Sequence, residues 1–202
     1  QTTRNTAEVK MTVSENYGKL PLSFEPNMGQ SAEDVKFLSR GSGYTVFLSA
    51  TEAVFSLRRV HHSPNAASRA VLRMEFAGAN QDAPVEGKQP LPGIVNYMIG
   101  NDRNKWHTDI PTFRQVRYSN TWPGVDMVWY GTQNQLEYDF VIKPGSAANV
   151  VSQIRLSFAG ADKLHIDETG DLLLQVNGEE MAQSAPVVYQ DGDQGRVSVR
   201  GK

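Results

Sequence analysis

Alternation of apolar and polar side chains at period two runs through most of this chain, and it restricts the fold to antiparallel sheet. In residues 43–58, GYTVFLSATEAVFSLR, the side chains of Tyr44, Val46 and Leu48 point one way and those of Thr45, Phe47 and Ser49 the other. The alternation resumes at Ala53, Phe55 and Leu57. A hairpin folded about Ala50 and Thr51 pairs Leu48 with Ala53, Val46 with Phe55 and Tyr44 with Leu57, which leaves one face wholly apolar. Residues 125–141, VDMVWYGTQNQLEYDFV, read the same way. A hairpin centred on Thr132 and Gln133 pairs Trp129 with Leu136, Met127 with Tyr138 and Val125 with Phe140. It sets Asp126 opposite Asp139 and Val128 opposite Glu137 on the other face, where a one-residue slip would bury carboxylates.

The chain also repeats a phrase. LRMEFAGAN at 72–80 returns as IRLSFAGAD at 154–162, identical at five of nine positions. The two hairpin centres share that spacing, and VKFLSRGSGY at 35–44 loosely matches VRYSNTWPGV at 116–125. An internal duplication, with one β unit at about 35–80 and its copy at about 116–162, accounts for all three. In each phrase an alternating strand ends at Ala-Gly-Ala, where glycine permits a change of direction, and Asn80 or Asp162 suits the turn beyond it. Further strands are expected at 94–99 and 115–118, and a hairpin over LHIDETGDLLLQV with its turn at 168–171. Two strands at 186–190 and 196–200 would close the sheet. Residues 61–68 and 81–93, rich in Pro, Gly and Ser, read as loops. Helical period is weak; residues 5–17 are the best candidate and serve equally as an ordered arm. The expected fold is an all-β, antiparallel β-sandwich: an N-terminal arm at 1–19, a first sandwich-like unit at 20–95 and a second at 96–202, or the two merged into one domain.

Composition narrows the chemistry. Twenty Lys and Arg against 22 Asp and Glu provide no basic field for nucleic acid or anionic lipid. The absence of cysteine removes disulfides, thiol catalysis and Cys-based zinc sites. No apolar run approaches the roughly 18 residues of a transmembrane helix, and the start, QTTRNTAEVK, has no signal-peptide core. GxSxG, P-loop, GxGxxG and HExxH motifs are all missing.

Three carboxylates, Asp126, Glu137 and Asp139, share one face of the second hairpin. Like charges there need an offset: Arg117 or Arg155, a hard cation such as Ca²⁺, or solvent. They are candidates for ligand contact, for a calcium site, or for the carboxylate pair of a glycosidase, set against the plainer reading of a solvated face with ion pairs. Trp106, with His107 beside it, and Trp122 lie in polar stretches, where an indole stacks on a sugar ring or plugs a core edge. His61, His62, His107 and His165 have no helical ligand spacing and no partner motif. No catalytic residue and no obligatory cofactor is expected, with calcium the one metal to consider.

Several longer motifs carry a resemblance: YGKLPLSFEPNMGQ, VKFLSRGSGYTVFLSATEAV, LPGIVNYMIGNDRNKWHTDIPTFRQVRY, WPGVDMVWYG, QLEYDFVIKPG and APVVYQ. Together, from about Tyr17 to Gln190, they resemble the uncharacterised N-terminal domain that precedes SBBP, β-propeller-type repeats in bacterial exported and surface proteins. Met28 departs from it, in a turn where that family often has Gln. The resemblance implies a secreted or cell-surface location, a signal already removed, a chain continuing into repeats, and no known activity. It points to a non-enzymatic interaction or adhesion module that caps or presents the repeat array, its partner being those repeats and, beyond them, a glycan or surface protein. A carbohydrate-binding module and a carboxylate-dependent glycosidase are the alternatives.

Overall fold

The structure, a computed structural model, describes residues 21–58, 69–132, 135–147, 149–192 and 195–198. The expected arm at 1–19, the helical reading of 5–17 and the loop at 61–68 with His61 and His62 lie outside the described residues. What is described is antiparallel sheet with two short 3-10 turns, at Arg103–Lys105 and Val150–Gln153, and no α-helix. The all-β, sandwich-like architecture expected from the alternation is the one observed. It divides between Ala159 and Gly160 into two compact units.

The first unit holds β1 (Phe24–Pro26), β2 (Phe37–Arg40), β3 (Tyr44–Leu48), β4 (Glu52–Arg58) and β5 (Arg69–Phe76). It continues with β6 (Val85–Tyr97), β7 (His107–Trp122), β8 (Val125–Thr132), β9 (Gln135–Ile142) and β10 (Leu156–Ala159). These form one ten-stranded sheet in the order β10-β5-β4-β3-β2-β1-β7-β8-β9, with β6 added on β7. The stretches 20–95 and 96–202, expected as separate units or as one merged domain, both contribute strands to this sheet, and β6 crosses the expected boundary.

Aromatic contacts show that the sheet curls. Phe76 of β5 lies within 6.0–6.5 Å of the rings of Tyr118, Trp122 and Trp129, which stand on β7 and β8, well removed along the strand order. The apolar face of each half therefore closes on that of the other. β5 shows the pattern in full: Ala70, Leu72, Met74 and Phe76 are buried, and the residues between them are exposed. Val46, Leu48, Ala53, Val116, Met127 and Trp129 complete the interior, each large side chain contributing about 1.5–3 kcal/mol by leaving water. Hydrogen bonds tie the two halves across that interior. Tyr118 Oη donates to Ser49 O at 2.7 Å, and Trp122 Nε1 to Ala77 O at 3.1 Å, capping the Ala-Gly-Ala turn. Burial pushes the Tyr118 phenol well up.

The echoed phrases lie side by side in the sheet: β5 and β10 are hydrogen-bonded neighbours, with Phe76 opposite Leu156 and Met74 opposite Phe158. Their shared alternation places both apolar rows on one face. And residues 81–93, expected as loop, largely belong to β6. Pro90 and Pro92 are tolerated because β6 pairs only with β7 in the described sheet and its register is interrupted between Leu91 and Ile94. Gly87 makes that pairing possible, since a Cβ there would lie 2.4 Å from the Phe113 ring.

The first hairpin has the expected register in every pair. The second is offset by two residues: Trp129 faces Tyr138, Met127 faces Phe140 and Val125 faces Ile142. An offset of two preserves every side chain's face, so the inward row is as expected while its partners are not. One consequence is testable. Tyr138 stacks on Trp129 at 4.9 Å, yet its buried hydroxyl has no hydrogen-bond partner among the described residues. Burial pushes that phenol well up. Tyr138→Phe is expected to leave stability unchanged or raise it by up to about 1 kcal/mol in urea unfolding, because no hydrogen bond is lost and a desolvated hydroxyl is removed.

The second unit holds the sheet β11 (Lys163–Ile166), β12 (Leu172–Val176) and β13 (Glu179–Gln183), and the hairpin β14 (Tyr189–Gly192) and β15 (Gly195–Ser198). The turn expected at 168–171 is present. Asp167 Oδ1 accepts from the N–H groups of Thr169 and Asp171 and from the Thr169 hydroxyl, and these bonds hold its carboxyl below the usual range. β14 and β15 pair with each other, and among the described residues neither pairs with the ten-stranded sheet they were expected to close; residues 199–200 of the expected strand lie outside the described residues.

Candidate functional site

Asp126 sits on the outer face of β8, yet only 2 % of it is exposed. It faces Val141, not Asp139; Asp139 faces Val128, and Glu137 faces Tyr130. Arg117 reaches it from β7 through Nη2 at 2.6 Å and Nε at 3.2 Å, and Lys143 Nζ reaches the other oxygen at 3.0 Å. The third donor comes from irregular backbone. Between Tyr118 and Trp122 the β7–β8 register shifts, and Asn120 adopts φ 54°. That turns its N–H onto Asp126 Oδ1 at 2.7 Å, while its side-chain oxygen accepts from Lys143 at 2.6 Å. Burial alone would raise the Asp126 carboxyl, but the Asn120 N–H, Arg117 and Lys143 outweigh it and hold it below the usual carboxylate range. Of the expected offsets, Arg117 is the one that pairs with Asp126, joined there by Lys143. Arg155 is exposed and takes no part in it.

A second buried carboxylate is organised alike. Glu25 of β1, 4 % exposed, accepts from Arg40 Nη1 and from Tyr97 Oη, both at 2.6 Å, and the Arg40 guanidinium lies 5.3 Å above the Tyr97 ring. Burial first, then the hydrogen bond to Glu25, pushes the Tyr97 phenol up to about 12. The cluster ties β1, β2 and β6 together and was not foreseen, because its members lie 15 and 72 residues from Glu25.

The remaining candidates separate. Trp122 is a core residue. Trp106 is half-buried: its Nε1 donates to Gly100 O at 3.1 Å and Arg103 covers one face at 5.3 Å. His107 packs against Gly29, where a Cβ would come within 2.7 Å of its ring. Asp139 accepts from Tyr130 Oη at 3.0 Å. Among the described residues no group of three or more His, Asp or Glu side chains is placed to hold a metal ion. Both oxygens of Asp126 are taken by cations and an N–H, and this differs from the open carboxylate set that a calcium ion needs.

Of the six, Glu137 lines an opening among the described residues. One edge of β7 changes partner along its length, pairing with β1 at Phe113 and with β8 from Val116 onward. The chain leading into β1 wedges against β8, with Pro21 opposite Thr132 and Leu22 N donating to Gly131 O at 3.0 Å. At this fork lies an open cleft of about 250 Å³, lined by Arg114 and Gln115 of β7, Tyr130 to Thr132 of β8, Glu137 of β9, and Pro21. It holds one carboxylate and one guanidinium.

These features define an all-β domain whose two buried acids are engaged by neighbouring donors and which carries a small open cleft of mixed lining. The chain belongs to a domain family of unknown function, DUF7948, which matches residues 24–202. No curated protein and no solved structure matches it.

Proposed function

We propose that this chain is a non-enzymatic, extracytoplasmic interaction module that docks a β-repeat segment of the same natural polypeptide along β11. The observation that carries this reading is the apolar edge of the second unit, unpaired among the described residues. β11 borders its sheet, and on its apolar row Leu164 faces Leu174 and Ile166 faces Leu172. Leu174 and Val176 are buried, whereas Leu164 is 51 % and Ile166 70 % exposed. Val187, Val188 and Val197 add exposed apolar surface within the same unit. Bare apolar side chains on an open strand edge favour pairing with another β segment, and the repeats implied by the sequence resemblance are such a segment. The non-enzymatic part rests on the carboxylates: Asp126 and Glu25 are consumed by cations and N–H or O–H donors, and among the described residues Glu137 stands in its cleft without a second acid. Paired acid and base chemistry needs two.

Amide hydrogen exchange tests the docking. The 202-residue chain is compared with the longer natural polypeptide, each also carrying Leu164→Gln and Ile166→Lys. In the longer polypeptide the β11 amides should exchange at least about tenfold more slowly than in the shorter one, and the double substitution should remove that difference. Equal exchange of β11 in both unsubstituted chains would overturn the reading.

A further inference from the structure

We propose that the cleft at the β1–β7–β8 fork binds one neutral sugar residue, presented at the end of a glycan. This site is separate from the β11 edge and does not depend on it.

The fork exists because one edge of β7 cannot serve β1 and β8 at the same place. Arg114 and Gln115 are the two residues between the last position paired with β1 and the first paired with β8. Both residues line the gap where the ladder is interrupted. Arg114 is exposed and makes no ion pair among the described residues. The Gln115 amide oxygen accepts from Gln89 at 3.2 Å, which leaves its NH₂ as a donor. On the opposite wall Tyr130 faces Glu137 directly across the β8–β9 ladder. The Tyr130 hydroxyl donates to Asp139, and this fixes the ring at the wall. The floor is backbone: Gly131 lies so close to β9 that a Cβ would come 2.2 Å from Gln135 O.

The cleft therefore offers guanidinium and amide donors on one side, a carboxylate acceptor on the other, and one aromatic ring. A simple anion meets Glu137, and a simple cation meets Arg114. An uncharged polyol meets neither penalty, because each hydroxyl both donates and accepts and the apolar face of its ring covers tyrosine. At about 250 Å³ the space falls below the roughly 300 Å³ where sites for drug-sized ligands begin, so it fits one ring and no more.

The test titrates the 202-residue chain with the methyl glycosides of glucose, galactose, mannose and N-acetylglucosamine, followed by amide NMR, with inorganic phosphate and glycine as charged comparators. At least one glycoside should shift the resonances of residues 114–115 and 130–132, with a Kd on the order of 1 mM for so small a ligand. Glu137→Gln and Arg114→Met should each weaken it about tenfold, the loss of one hydrogen bond to a charged group. Lys88→Met, on β6 outside the cleft, should leave it unchanged. The proposal fails if no glycoside binds, if the shifts map elsewhere, if both cleft variants bind normally, or if phosphate or glycine binds there more tightly than every glycoside.

Discussion

Asp126→Asn is expected to destabilise the chain by about 2–3 kcal/mol, the upper part of the roughly 1.5–3 kcal/mol range for hydrogen bonds to a charged group, and to lower Tm by about 5–10 °C for a domain of this size. The amide keeps one oxygen for the Asn120 N–H. It loses the charge that Arg117 and Lys143 converge on and turns an NH₂ toward one of them. Removing one member of a buried pair can cost more than this. The lower figure applies because Arg117 and Lys143 are themselves 42 % and 39 % exposed and rehydrate when the carboxylate is gone. An outer acidic face without partners would behave in the opposite way, since removing one of its like charges would stabilise it; the network reverses that sign. Calorimetry of Asp126→Asn beside the exposed Glu86→Gln, whose Lys88 partner is also a surface group, separates the two cases. The first should shift Tm clearly and the second barely. A rise in Tm for Asp126→Asn would show that the network is not formed in solution.

The same network sets an acid dependence. The Asp126 carboxyl is held below its usual value in the folded chain, and in the unfolded chain it titrates near 3.9. Its stabilisation is therefore present in full above the unfolded value and disappears as pH falls through the folded one. The difference in stability between the native chain and Asp126→Asn should be constant from about pH 5 to 7 and should narrow below about pH 4. A difference that widens on acidification would contradict the assigned direction.

Alternation encodes some features of this fold and is silent on others. Period two specifies the face of every residue, so the inward rows of β3, β4, β5 and β8 were legible, as were the outward positions of Asp126, Glu137 and Asp139. It does not distinguish registers that differ by two, and the β8–β9 hairpin differs from expectation by that amount. Nor does it say which strands are neighbours: β5 and β10 carry the same phrase, and nothing local in that phrase indicates that the copies pair with each other. Prolines masked β6, because a proline argues against a strand only where both edges are paired. The candidate site was partly visible for a similar reason. Arg117 could be named as a partner for the acids because it lies on the adjoining strand. Lys143 and the Asn120 backbone could not: Lys143 is near because the β8–β9 register sets Asp126 opposite Val141, and the Asn120 N–H reaches it only through the β7–β8 register shift and a positive φ. Arg114 and Glu137 meet at one cleft only because β1 wedges between β7 and β8, a tertiary event that leaves no periodic trace.

Phe76 and Phe158 occupy the same place in the repeated phrase, and their alanine variants should nevertheless cost very different amounts. Phe76 is 2 % exposed and touches three aromatic rings on the far side of the curled sheet. Phe76→Ala removes the contact that closes β5 onto β7 and β8 and leaves a cavity walled by Tyr118, Trp122 and Trp129; hydrogen bonds hold the first two in place and restrict collapse. The expected loss is about 3–5 kcal/mol. Phe158 is half-buried on β10, the terminal strand of the sheet, with a hydrogen-bonded neighbour on one side only. Phe158→Ala forfeits about half of the 1.5–3 kcal/mol that full burial of such a side chain supplies, and solvent fills the space. Urea unfolding of the two variants measures both losses, with m unchanged if each acts on the folded state alone. The β10 amides should also exchange before those of β5, as a terminal strand opens without the rest of the sheet. Equal losses would place Phe158 in a core as enclosed as that of Phe76. That outcome would contradict a sheet in which the echoed strands differ in rank because one lies inside and the other at the border.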